Sequence, residues 1–235
     1  MSPANRQLFY NELEALRERV VTMGSMVDKA LARSIDALRT QDVSLAREVM
    51  RNDAAINSYR WETEDEAFRV IATQAPLASD LRTVIAVFSI VTDLERMGDH
   101  AVGIAKTVIE TADEPPLKRL VDIPRMADVA RAMLTDSLGA FIRGDVDAAM
   151  AIIERDEEVD ALYAQVYREL LTYMLADPTT IDRANRLIWV GHNLERVADR
   201  VTNICERVVF TVTGSTDLDA VSMELSEDGA SVERT

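Results

Sequence analysis

Residues 42–53, DVSLAREVMRND, return at 145–156 as DVDAAMAIIERD, and this echo across 103 positions decides the fold. Met23, Leu31 and Ser34 are answered by Met126, Leu134 and Ser137 at the same interval, and the LER of 94–96 recurs at 194–196. The interval shrinks by only a few residues along the repeat, as small changes in loop length produce. Each half of the chain is therefore the same unit, written twice.

The unit is helical. Leu13, Leu16, Val20, Met23, Val27, Ala30, Leu31 and Leu38 fall on one stripe with steps of three and four, and no comparable run alternates with period two. Short breaks at 40–42 (TQD), 75–77 (APL), 143–145 (RGD) and 176–178 (ADP) each close one helix and open the next. This spacing predicts six helices, over 5–39, 43–74, 78–111, 122–143, 146–176 and 180–212. Pro115 and Pro116 cannot continue a helix, so the boundary between the halves falls beside them. The expected architecture is all-α: two tandem, pseudo-symmetric three-helix bundles over 1–112 and 113–212. Beyond them, 213–235 turns to Ser, Asp, Glu and small residues without a stripe, the composition of a mobile acidic tail.

Composition narrows the function. The 235 residues carry a formal charge of -15, which repels nucleic-acid phosphates and anionic headgroups, so neither is an expected partner. No stretch approaches the roughly 18 uninterrupted apolar residues of a membrane span, and the start has no apolar leader, so a cytoplasmic protein is expected. With one cysteine and two histidines neither a Cys-His nucleophile nor a Cys-rich zinc site can be assembled, and phosphate-cradling glycine motifs are absent. Cys205 reads as a small core residue; Trp61 and Trp189 read as core or interface anchors.

The strongest local pattern is TDLERMGDH at 92–100, repeated as HNLERVADR at 192–200. Glu95 and Asp99, like Glu195 and Asp199, lie four residues apart and so about 40 degrees apart around a helix. Like charges at that spacing repel by about 0.2 to 0.5 kcal/mol, which asks for an offsetting cation. The preceding helix of each half carries a matching pair, Asp53 with Asn57 and Asp156 with Asp160, and antiparallel packing sets these opposite the first. All-oxygen sites of this kind suit hard cations such as Mg2+, Mn2+, Ca2+ or iron. His192 shares a face with Glu195 as a nitrogen ligand or a packing residue. Against the metal reading stands simple ion pairing with Arg96, Arg196 or Arg200. A metal-free adaptor and a metal-dependent hydrolase are the alternative functions.

The same residues resemble a known family. The frame DLERMGDHA at 93–101, QAPLASDLR at 74–82 before it, and NLERVAD (193–199) with TNI (202–204) in the second half are similar to the PhoU family of phosphate-transport accessory proteins. The likeness runs from about Phe9 to Phe210. It implies a cytoplasmic, dimeric, non-enzymatic regulator that represses the phosphate-starvation response by contacting the ATPase subunit of the phosphate ABC transporter and a phosphate-sensing histidine kinase. It also implies bound divalent or trivalent metal ions (iron, Mn2+, Mg2+ or Zn2+) on Glu95, Asp99, Glu195, Asp199, Asp53, Asp156 and Asp160. Asn57 departs from the acidic pattern, so the first site is expected to bind more weakly. Arg200 stands where the first repeat has His100, and is expected to add positive charge beside the second site.

Overall fold

The computed structural model describes residues 3–223. Among these there are seven α-helices and no strand: α1 (Pro3–Thr40), α2 (Val43–Gln74), α3 (Ser79–Glu110), α4 (Asp122–Arg143), α5 (Val146–Glu154), α6 (Asp156–Ala176) and α7 (Ile181–Thr213). The helix starts follow the repeat. Asp42 and Asp145 are N-caps in extended conformation whose carboxylates accept from Leu45 N–H at 2.9 Å and Ala148 N–H at 3.0 Å. Each satisfies a backbone donor that the first helical turn leaves unpaired.

The helix expected over 146–176 is instead two, interrupted at Arg155, whose N–H bonds back to Ile152 O at 3.2 Å. Restarting the helix there places Asp156, Glu157 and Glu158 in the first turn of α6, where the positive end of the helix dipole favours acidic side chains. The tail differs too. After the left-handed cap at Gly214 (φ 78) residues 218–223 form a further helical segment, and Val221 is buried with Leu218 packed against the core. Apolar Leu218 and Val221 find a cover on the bundle that composition alone does not reveal. The rest of the expected tail, 224–235, lies outside the described residues.

α1, α2 and α3 pack together, as do α4, α5 with α6, and α7, and the two bundles meet chiefly where α3 lies against α7, with α1 against α4 beside it. Leu16, Met23 and Leu31 of α1, Leu94, Met97 and Ile104 of α3, Met126 and Leu134 of α4, and Leu194 and Ile204 of α7 are all essentially inaccessible and belong to one continuous core. Buried Ser34 and Ser137 each donate to the carbonyl three residues back, Leu31 O and Leu134 O, both at 2.8 Å. Cys205 is buried in the same core. Trp61 and Trp189 are not core residues: they are 61% and 55% exposed, Trp61 with the Arg60 guanidinium over its ring at 5.0 Å. No helix among the described residues is long and apolar enough to cross a membrane.

The seam between the bundles is polar at repeat-equivalent points. Arg131 of α4 grips Asp28 of α1 with two hydrogen bonds of 2.7 and 3.0 Å. Across α3 and α7, Asp93 accepts from Arg200 and Asn203 at 3.3 Å each, and the equivalent pair, Asn193 and His100, meets at 3.0 Å. Asn193 Nδ2 donates to Trp189 O at 2.7 Å, so its oxygen accepts from His100 Nδ1–H. Glycine at 103 keeps this bond in place, since an added Cβ would stand 2.8 Å from Asn193 Oδ1 and displace that side chain. Burial, ahead of all other influences, lowers the His100 pKa and raises that of Asp93.

Candidate metal centre

Each half carries one carboxylate cluster on the helix pair whose second member bears the LER motif. In the first half α2 supplies Asp53 and Asn57, and α3 supplies Glu95 and Asp99. Asn57 Nδ2 donates to Asp53 Oδ2 at 2.9 Å, leaving buried Asp53 Oδ1 and Asn57 Oδ1 without a hydrogen bond. Gly98 of α3 packs against this pair; an added Cβ there would lie 3.3 Å from Ile56 Cδ1 and 3.4 Å from Asp53 Oδ1. Burial and then the Asp99 charge push the pKa of both Asp53 and Glu95 upward.

The second half is built alike from α6 and α7. Burial first, then Asp160, Asp199 and Glu195, raise the Asp156 pKa from 3.8 to about 6. Each of these carboxylates disfavours the ionised form of Asp156, Asp160 from the same helix and Glu195 and Asp199 from α7. His192 Nδ1 stands 3.2 Å from Glu195 Oε2 and its ring lies against Trp189, centroids 5.4 Å apart. Histidine here is thus both packed and within reach of the cluster.

Arginines compete for these oxygens. Arg196 lies 3.0 Å from Glu195 and 2.8 Å from Asp199, while Arg96 is looser, at 3.7 Å from Glu95 and 3.8 Å from Asp99. Despite its arginine neighbour, buried Glu195 Oε2 makes no aligned hydrogen bond, and neither does Glu95 Oε2. Arg200, expected beside the second site, instead reaches across the seam to Asp93, because its position on α7 faces α3 rather than α6. It adds no charge to the cluster.

Two residues escaped the sequence reading. Arg60 of α2 pairs with Glu64 at 2.8 Å and approaches Glu95 at 3.6 Å. Its repeat equivalent is Tyr163, whose pKa is raised by burial and by Glu195, and which packs where a Cβ on Gly191 would meet its ring at 3.0 Å. The interval of 103 relates these positions, so the signal was available. The first cluster therefore sets Asp53, Glu95 and Asp99 against Arg60 and Arg96, whereas the second sets Asp156, Asp160, Glu195 and Asp199 against Arg196 alone.

Among the described residues no group of three Asp, Glu, His or Cys side chains stands arranged to hold a metal ion. Glu95, Asp99, Glu195 and Asp199 are instead each within 4 Å of an arginine.

The model of the PhoU domain matches residues 20–108 and 123–208, one copy per bundle. The chain is 42% identical over 187 residues to the phosphate-specific transport system accessory protein PhoU homolog of Aquifex aeolicus, covering 80% of this chain and 85% of that protein. To PhoU of Escherichia coli, called a phosphate-specific transport system accessory protein, it is 36% identical over 206 residues, covering 88% and 86%. The crystal structure of PhoU from Pseudomonas aeruginosa superposes with a TM-score of 0.83 at 36% identity, covering 88% of this chain and all of that one. With one matched domain in each of its two bundles and such relatives along nearly its whole length, the chain belongs to the PhoU family.

Proposed function

We propose that the chain is a regulator of phosphate uptake that works by binding rather than by catalysis, with its two acidic clusters as cation sites. The supporting observation is the duplicated Glu-x-x-x-Asp pair, set in each half opposite an acidic helix face and holding buried oxygens without hydrogen bonds. In the first site Asp53, Asn57, Glu95 and Asp99 would hold the ion. In the second, Asp156, Asp160, Glu195 and Asp199 would do so, with His192 alongside. The donors are nearly all oxygen, which favours Mg2+, Mn2+ or iron over zinc. A bound ion supplies the positive charge that cancels their mutual repulsion. Glu195 and Asp199 then release Arg196, whose guanidinium becomes free for an acidic partner surface.

On this reading the partners are the ATPase subunit of the phosphate transporter and a phosphate-sensing histidine kinase, met in the cytoplasm by a homodimer. A metal-free adaptor is the second reading, and it rests on Arg196 bridging Glu195 and Asp199 as they stand. Elemental analysis of protein purified without chelator separates the two. The regulatory role is tested in cells: deleting the gene is expected to leave phosphate-starvation genes expressed in rich phosphate. Continued repression in a deletion strain that has no paralogue would refute the role.

A further inference from the structure

Away from both clusters, a cavity of about 810 Å³ opens under the segment that joins the bundles. Its walls are the C-terminal ends of α1 and α3, the linker 112–121, and the first turns of α7. That volume lies within the range of small-molecule sites, which occur preferentially at junctions between domains. Its linker wall lies between the two matched PhoU segments, 20–108 and 123–208.

The charge of the lining is opposite to that of the molecule. In a chain of net charge -15, this cavity draws on Arg39, Lys118, Arg119 and Arg183 against a single carboxylate, Glu114. Lys118 is nearly buried and ion-paired with Glu169, Arg39 pairs with Asp36 at 3.1 Å, and Arg183 lies 4.0 Å from Glu114. Arg119 makes no ion pair among the described residues. Leu38, Leu117 and Leu187 form the apolar side of the same space.

The linker is tied down on three sides, so the cavity is built rather than incidental. Gln41 Nε2 donates to Glu114 O at 3.0 Å, Arg183 Nη1 donates to Pro115 O at 3.2 Å, and Lys118 holds Glu169 of α6. Gln41 is also strained: its φ is 54°, in the left-handed region that favours glycine. At the equivalent turn of the second half, 103 residues on, Gly144 occupies that conformation with φ 62°. The first half thus keeps a side chain where glycine would be easier, and that side chain lines the cavity and holds its wall.

We propose that this cavity binds a small organic anion, an apolar body bearing a phosphate or carboxylate group, and that the ligand clamps the linker between the two bundles. Arg119 and Arg183 receive the anionic group, and the leucines receive the apolar body. The test is a fluorescence titration of the full chain with 8-anilinonaphthalene-1-sulfonate in the presence of chelator, followed by displacement with pyrophosphate and, separately, citrate. One saturable site is expected, with displacement by pyrophosphate indicating a phosphate ligand and displacement by citrate a carboxylate. Arg119→Ala with Arg183→Ala is expected to weaken it about tenfold or more, the effect of losing charge-assisted hydrogen bonds. Gln41→Gly is expected to weaken binding while leaving the melting temperature equal or higher, which separates a ligand role from a structural one. Glu195→Gln with Asp199→Asn is expected to leave the probe bound as before. Absence of saturable binding, displacement by neither anion, or unchanged affinity in the double arginine variant would overturn the proposal.

Discussion

Changing Glu195 to Gln together with Asp199 to Asn is expected to remove the larger part of the rise in melting temperature that Mn2+ gives the wild-type chain, the part due to the second site, while leaving the metal-free fold at least as stable. In the wild type, an ion present at 100 times its Kd stabilises by about 2.7 kcal/mol. For a chain of this size that is a rise of roughly 5 to 10 °C. The variant loses two of the four carboxylates, and with them part of the repulsion that adds to burial in raising the Asp156 pKa to about 6. Under the ion-pair reading the same change strands Arg196, which is 45% exposed, and lowers the metal-free stability by up to about 1 kcal/mol.

Acid sharpens the comparison. Because Asp156 holds its proton more tightly in the metal-free fold than in the unfolded chain, its contribution to stability is present below the unfolded value of 3.8. That contribution is lost as pH rises through about 6. The cation competes with that same proton, so the Mn2+ effect is expected to be small at pH 5 and full at pH 7.5. A variant that responds to Mn2+ as the wild type does would contradict the site.

The second large effect concerns the shared core. Leu194 of α7 is completely buried in the core that both bundles share, as is Leu94 of α3. Leu194→Ala removes buried methyl groups and leaves a cavity in a rigid surround, at about 3 to 5 kcal/mol. The melting temperature is expected to fall by roughly 10 °C, in a single transition, because both bundles draw on that core. Leu175→Ala, at a position 84% exposed, is the control, with an effect within about 0.5 kcal/mol. Two separate transitions in the Leu194 variant would mean that the bundles fold independently.

Most helix positions were legible in the sequence because the breaks depend on local chemistry: Asp42 and Asp145, which fall in two of those breaks, cap the helices they precede wherever those helices finally pack. The repeat made the architecture legible as well. What escaped depends on which faces meet. Arg200 carries the same sequence context as His100, yet its pairing with Asp93 is visible only once α3 and α7 are known to cross there. The break at Arg155 follows from three consecutive acidic residues favouring a helix start over a helix interior, a preference that apolar periodicity does not register. Trp61 and Trp189 sit on helices whose buried stripe lies elsewhere, so the core half of their reading fails and the interface half remains. The asymmetry of the two clusters lies in residues one turn away, Arg60 and Tyr163, which no acidic motif includes.

On the proposed reading these differences favour the second cluster as the cation site, and regulation depends on the clusters. The direct measurement is expression of a phosphate-starvation reporter in the deletion strain, complemented with wild-type chain or with Glu95→Gln, Asp99→Asn, Glu195→Gln and Asp199→Asn combined. Wild-type chain is expected to restore repression in rich phosphate. The fourfold variant, present at equal level and equally folded, is expected to leave the reporter on. Full repression by that variant would contradict the account.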